Sequence, residues 1–142
     1  MRRLTNGTRL GLARSSNAVD FKIVQAPRLD MVSKPSLAVH LSEELEDFLK
    51  EFDPNHKFNK WIADMKSVLK GNMFAGNCIP KRQIPNYYKR RYKINNLYCY
   101  RHPEGFRSCY ALLLYDGLGV CPLILDLKTH SEYNKIFGYR TT

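Results

Sequence analysis

The stretch NLYCYRHPEGFRSCYALLLYDGLGVCPLILDLK, residues 96–128, decides the architecture. It contains three apolar runs, over 96–101, 107–115 and 120–128, separated by two turn signals. Asp116-Gly117-Leu118-Gly119 joins the second run to the third, and glycines in such a spot supply the positive φ that a tight hairpin needs. HPEG, at 102–105, has the residues of a first hairpin loop. Connections this short predict a three-stranded antiparallel meander. Alternation then puts Arg107, Cys109, Ala111, Leu113 and Tyr115 on one face of the middle strand. Ser108, Tyr110, Leu112 and Leu114 take the other.

Upstream the period changes from two to about 3.6. Leu45, Phe48, Leu49 and Phe52 form one apolar stripe behind Ser42, an N-cap residue. Glu43, Glu44 and Glu46 suit the positive end of that helix dipole. Asp53-Pro54 reads as the end of this helix and the start of a second, with Asp53 as cap and Pro54 at the first position. Phe58, Trp61, Ile62, Met65, Val68 and Leu69 make the second stripe, closed by Gly71. So short a connection predicts an antiparallel helical hairpin. The segment GNMFAGNCIPKRQIPNYYKRRYKI, residues 71–94, carries Pro80 and Pro85 and reads as a basic loop, with a short strand around Ile94. Leu37 to Leu41 offers one further strand ahead of the helices. The expected class is α+β: a helical hairpin packed on a small antiparallel sheet, order β-α-α-β-β-β, with a short C-terminal helix or turn.

The chain has 142 residues, room for one domain with a tail. Its 23 Lys and Arg against 13 Asp and Glu leave a net charge of +10. Such an excess predicts a polyanionic partner. The charge is uneven. Residues 57–93 hold ten basic groups and one acid, Asp64, whereas 43–53 hold six acids and one base. Residues 1–35 are basic, and the first 18 have no helical or strand period, which fits a disordered arm; their Arg- and Ser-rich, acid-free start also fits an organelle transit peptide. The domain proper is expected over 36–142. No apolar run approaches the ~18–20 residues that span a bilayer, so no membrane association is expected. No signal-peptide core follows Arg2 and Arg3, so a reducing cytoplasm is the expected location.

The four cysteines, Cys78, Cys99, Cys109 and Cys121, have no zinc or thioredoxin-like spacing. They read as core thiols, with a disulfide or a catalytic thiol as the alternative. Lys81, Arg82, Lys89, Arg90, Arg91 and Lys93 interleave with Tyr87, Tyr88 and Tyr92. Cations grip phosphates and tyrosine rings stack on bases, so this stretch is either an RNA or DNA contact or a solvated charged face. Arg107, at a strand start, suits bidentate phosphate binding, or an ion pair with Glu104 or Asp126. His130 and Tyr133, three residues apart, share a face of any helical turn, and imidazole and phenol both move protons in phosphodiester cleavage. His40, His56 and His102 have no comparable sequence neighbours. No carboxylate pair suited to metal, P-loop or GxSxG elbow occurs, and no metal or cofactor is expected.

The succession of two short helices, a basic proline-containing segment, NLYCYRHPEGFRSCYALLLYDG and ILDLKTHSEYNKIFGY resembles the RelE/ParE toxin superfamily, most of all its archaeal-type RelE-like members. The carrying motifs are G-x-R-x-x-Y, at 105–110, and H-x-x-Y-x-x-x-F-G-Y, at 130–139, and the likeness covers about residues 36–140. It implies the toxin of a type II toxin–antitoxin pair: a ribosome-dependent mRNA endoribonuclease in which the RNA 2′-hydroxyl attacks the adjacent phosphate without a metal. The implied partners are a cognate antitoxin, mRNA and the ribosome. By motif position, Arg107 would stabilise phosphate charge and His130 would act as acid or base. Tyr133 and Tyr139 would donate a proton or stack on bases, and Lys81 and Arg82 would grip RNA. Lys128 stands where several ribonuclease members have an arginine. Some branches, ParE among them, poison DNA gyrase and cleave nothing, so a non-catalytic ParE-like inhibitor or RNA-binding module is the alternative.

Overall fold

The computed structural model describes residues 34–138; most of the arm, and Tyr139, lie outside them. Within this span the meander residues fold as β3 (Tyr98–Arg101), β4 (Arg107–Tyr115) and β5 (Gly119–Ile124). β4 pairs antiparallel with both neighbours, as the short turns require. Gly117 and Gly119 take φ of 78° and 76°, and the Leu118 N–H closes the turn onto the Tyr115 carbonyl at 3.1 Å. The first strand is shorter than the sequence predicts. The Asn96 side chain stands in for backbone there, donating to the Leu112 carbonyl (2.9 Å) and accepting from its N–H (2.7 Å).

Two short strands complete a five-stranded sheet of order β1-β5-β4-β3-β2: β1 is His40–Leu41 and β2 is Asn77–Cys78. β1 runs parallel to β5, so the sheet is mixed, where an antiparallel one is expected from the sequence. Residues 42–118 separate these two strands, so no hairpin turn dictates their relative direction. β2 occupies the sheet edge beyond β3, and Ile94 is buried outside any strand.

The helices are α1 (Glu43–Lys50), α2 (Lys57–Gly71), α3 (Asn86–Tyr92) and α4 (His130–Phe137). Ser42 caps α1: its Oγ accepts from the Leu45 N–H at 3.1 Å and donates to the Leu125 carbonyl at 2.7 Å. Asp53 does not cap α2. Its carboxylate accepts from the Asn55 N–H at 2.7 Å in a local Asx-type turn, and His56 becomes the cap, its Nδ1 accepting from the Phe58 N–H at 3.0 Å. Val68 departs from its stripe and is 42% exposed. The residues read as a basic loop hold a helix instead. Pro85, ahead of α3, leaves its carbonyl to accept from the Tyr88 and Lys89 N–H groups, so it starts a helix rather than breaking one. Ile84 and Tyr88, four residues apart, anchor this segment in the core.

Two cores result. Leu45 and Leu49 of α1 and Ile62, Met65 and Leu69 of α2 pack on the face bearing Tyr98, Tyr110 and Leu112. Tyr88 of α3 and Tyr133 of α4 pack on the opposite face, bearing Cys99, Cys109 and Ala111. The sheet is thus helix-covered on both sides. The observed class is α+β. Among the described residues no helix is long and apolar enough to cross a membrane.

Candidate functional site

Beyond β5 the chain crosses back to β4. Arg107 and Lys128 exchange backbone hydrogen bonds, 2.8 and 2.7 Å long, and such a pair projects its side chains to one face. That face is the one covered by α3 and α4. The Arg107 guanidinium sits over the Tyr133 ring, 5.3 Å from its centroid, a cation–π contact. The Lys128 ammonium sits over Tyr87 of α3 at 5.6 Å. Neither acid suggested by spacing takes Arg107. Glu104 pairs with Lys57 at 2.9 Å, and buried Asp126 accepts from the Tyr88 hydroxyl at 2.7 Å and the Cys109 N–H at 3.0 Å.

Thr129 begins α4 with a full capping box. Its hydroxyl accepts from the Glu132 N–H at 3.1 Å, and the Glu132 carboxylate accepts from the Thr129 N–H at 2.9 Å. This fixes His130 at the first helical position, where it packs beside Gly105; a Cβ on that glycine would stand 3.4 Å from the His130 Cβ. Gly105 has φ of 81°, a left-handed backbone conformation that favours glycine. His130 is exposed, and Asn134, one turn on, donates from Nδ2 to His130 Nε2 at 3.1 Å. A neutral ring accepting at Nε2 carries its proton on Nδ1. Arg107, His130 and Tyr133 therefore come together at one corner of the sheet, joined by Lys128. Tyr133 is only 7% exposed, packed on Phe137 and under the guanidinium. Asn134 is the residue that sequence reading missed; its i+4 spacing from His130 is the signal that could have found it.

The expected RNA-binding residues divide. Lys81 and Arg82 lie exposed on a 3₁₀ turn, Lys81–Gln83, and Lys89 and Arg90 lie exposed on α3. Arg91 is engaged within the fold: its guanidinium makes a forked pair with the Glu44 carboxylate of α1, which also accepts from the Tyr92 hydroxyl at 2.7 Å. Glu44 is held below the usual carboxylate range by these partners, against a burial that alone would raise it. Tyr88 is fully buried and the Tyr92 hydroxyl is tied to Glu44, and the ring of half-buried Tyr87 carries Arg91 at 5.4 Å and Lys128 at 5.6 Å. A groove of about 570 Å³ adjoins this corner. Its lining includes Phe48, Phe52, Phe58 and Phe106 together with Arg91 and Lys128.

Beneath α4, Cys99 and Cys109 face each other across β3 and β4. Hydrogen bonding from Cys109 brings the Cys99 thiol down to about 7 against the opposing effect of burial, with smaller help from Tyr133 and the charges of Arg107 and Arg101. Burial drives the Cys109 thiol well up. The remaining histidines are structural: His56 caps α2, His40 stacks on Tyr115 at 4.2 Å, and buried His102 lies 2.8 Å from the Ser108 hydroxyl. Among the described residues no cluster of three or more His, Cys, Asp or Glu is arranged to hold a metal ion. No family model, no curated protein and no solved structure matches the chain.

Proposed function

We propose that this chain is a RelE-like toxin: a metal-independent, ribosome-dependent mRNA endoribonuclease of the cytoplasm, neutralised by a cognate antitoxin. The observation that carries this reading is the meeting of Arg107, Lys128 and His130 at one corner, on a face whose neighbouring helix displays Lys89 and Arg90. The 2′-hydroxyl of the bound mRNA attacks the adjacent phosphate, and negative charge builds on the phosphate oxygens. Arg107 and Lys128 offset that charge with preorganised cations, usually the largest catalytic contribution. His130 takes the proton of the attacking 2′-hydroxyl on Nε2 in place of the Asn134 contact, and the imidazolium so formed gives its Nδ1 proton to the departing 5′-oxygen, which returns a neutral ring. Tyr133 is a positioning residue in this scheme, since its ring supports the guanidinium from below.

A second reading has its own support. The burial of Tyr133 and the pairing of Arg91 with Glu44 withdraw two expected RNA contacts, which favours a non-catalytic ParE-like gyrase inhibitor over an RNA-binding module. Primer-extension mapping of transcripts after induced expression separates the two. The nuclease reading expects ribosome-dependent cuts that weaken about 10²–10³-fold in Arg107→Ala and about 10²-fold in His130→Ala, with thermal unfolding of both variants near wild type. Cuts of full strength in both variants would end the nuclease proposal. Growth arrest with intact mRNA and raised DNA-damage signalling would establish the inhibitor instead.

A further inference from the structure

Cys99 and Cys109 are direct partners in the β3–β4 register. Both backbone groups of Cys109 point the other way: its N–H donates to Asp126 Oδ1 at 3.0 Å, and its carbonyl accepts from the Leu125 N–H at 2.8 Å. The two cysteines are therefore a non-hydrogen-bonded antiparallel pair, the type that brings Cα atoms to about 4.5 Å with both side chains on one face. Disulfides bridge Cα separations of about 4.4–6.8 Å. We propose that Cys99 and Cys109 form a dithiol that a peroxide closes to an intrachain disulfide, a modification site lying beneath α4.

The surroundings give the two thiols different tasks. Cys99 is the more acidic, for the reasons given above, and thiolate is the form that attacks a peroxide. Cys109 is the more deeply buried and stays protonated. In the first step the Cys99 thiolate attacks one peroxide oxygen, the O–O bond breaks, and a sulfenic acid forms at Cys99 as hydroxide leaves and is protonated to water. In the second, the Cys109 sulfur attacks the Cys99 sulfur; the S–S bond forms, the S–O bond breaks, and the Cys109 proton leaves with the hydroxyl as a second water. Two thiols are oxidised and one peroxide is reduced. Exposed Cys78 and buried Cys121 have thiols pushed up by burial, and neither is a register partner of another cysteine. Cys99 is 5% exposed and Cys109 1% exposed, so the peroxide enters through local opening of α4, an eight-residue helix at the end of the described fold.

The test uses the reduced full-length chain, treated with hydrogen peroxide, quenched with catalase, then alkylated in denaturant. Two of the four cysteines should become inaccessible to alkylation. Digestion with trypsin and chymotrypsin should yield one cross-linked peptide pair, joining residues 99 and 109. In Cys109→Ser, dimedone should capture a sulfenic acid at Cys99; in Cys99→Ser, Cys109 should stay alkylatable. Mapping on the unsubstituted chain decides the matter even if a variant folds poorly. Four alkylated thiols after peroxide, or a link that runs to Cys78 or Cys121, would overturn the proposal. The readout is independent of RNA cleavage, so its failure leaves the nuclease reading untouched.

Discussion

The His102 ring is buried and lies stacked 6.1 Å from Trp61, with its Nε2 beside the Ser108 hydroxyl. Burial brings its pKa down to about 4, the charge of Asp64 opposing only in part. An unfolded chain takes up the same proton near pH 6.5. As pH falls from 6.5 towards 4, the unfolded state gains a proton that the folded state refuses, so stability is lost across that window, by up to about 3 kcal/mol. Urea unfolding at pH 7 and pH 4.5 should show this loss in the wild type and a smaller one in His102→Gln. The comparison removes the parallel contribution of Glu44, whose lowered pKa also costs stability in acid. At the same scale, spacing could not choose between a phosphate and an acid as the partner of Arg107. The fold removes both acids, because Lys57 and Tyr88, distant in sequence, take Glu104 and Asp126, and it leaves the Arg107 guanidinium over the Tyr133 ring.

At the scale of elements, α1 depends on one hydroxyl. Ser42 Oγ closes the helix start and also bonds the Leu125 carbonyl, tying α1 to the segment that carries Lys128. Ser42→Ala should cost about 1–2 kcal/mol in chemical denaturation, since the buried Leu125 carbonyl also loses the shorter of its two side-chain donors and keeps the Tyr92 hydroxyl at 3.3 Å. α3 should matter to binding more than to stability. Replacing Lys89 and Arg90 together with alanine should lower the salt-dependence slope of single-stranded RNA binding by about 0.7 for each phosphate no longer neutralised, with an unchanged melting curve. Arg91 is excluded from that pair because its charge is spent on Glu44. α1 was legible in the sequence because cap, acidic first turn and apolar stripe agree. α3 was not, because a short helix started by proline and rich in cations offers only Ile84, Tyr88 and Tyr92 as a pattern, and proline ordinarily signals a break.

At the scale of the molecule, an acidic α1 meets a basic α3, and Glu44 joins the two helices through Arg91 and the Tyr92 hydroxyl. Among the described residues Lys81, Arg82, Lys89 and Arg90 lie exposed around α3, and Lys60, Lys66 and Lys70 lie exposed on α2 over the opposite sheet face. Local sequence suffices for the meander, both of its turns, α1 and most of α2. Each of these follows from residues within about ten positions of one another, where periodicity and turn chemistry act directly. Long-range packing was needed to make β1 run parallel to β5, to cover the second sheet face with α3 and α4, and to turn Tyr88 and Arg91 to the service of the fold. It also brought Arg107, Lys128, His130 and Tyr133 to a shared corner. Those outcomes depend on which distant groups satisfy one another's hydrogen bonds and charges once water is excluded, and that competition is resolved only when the sheet closes.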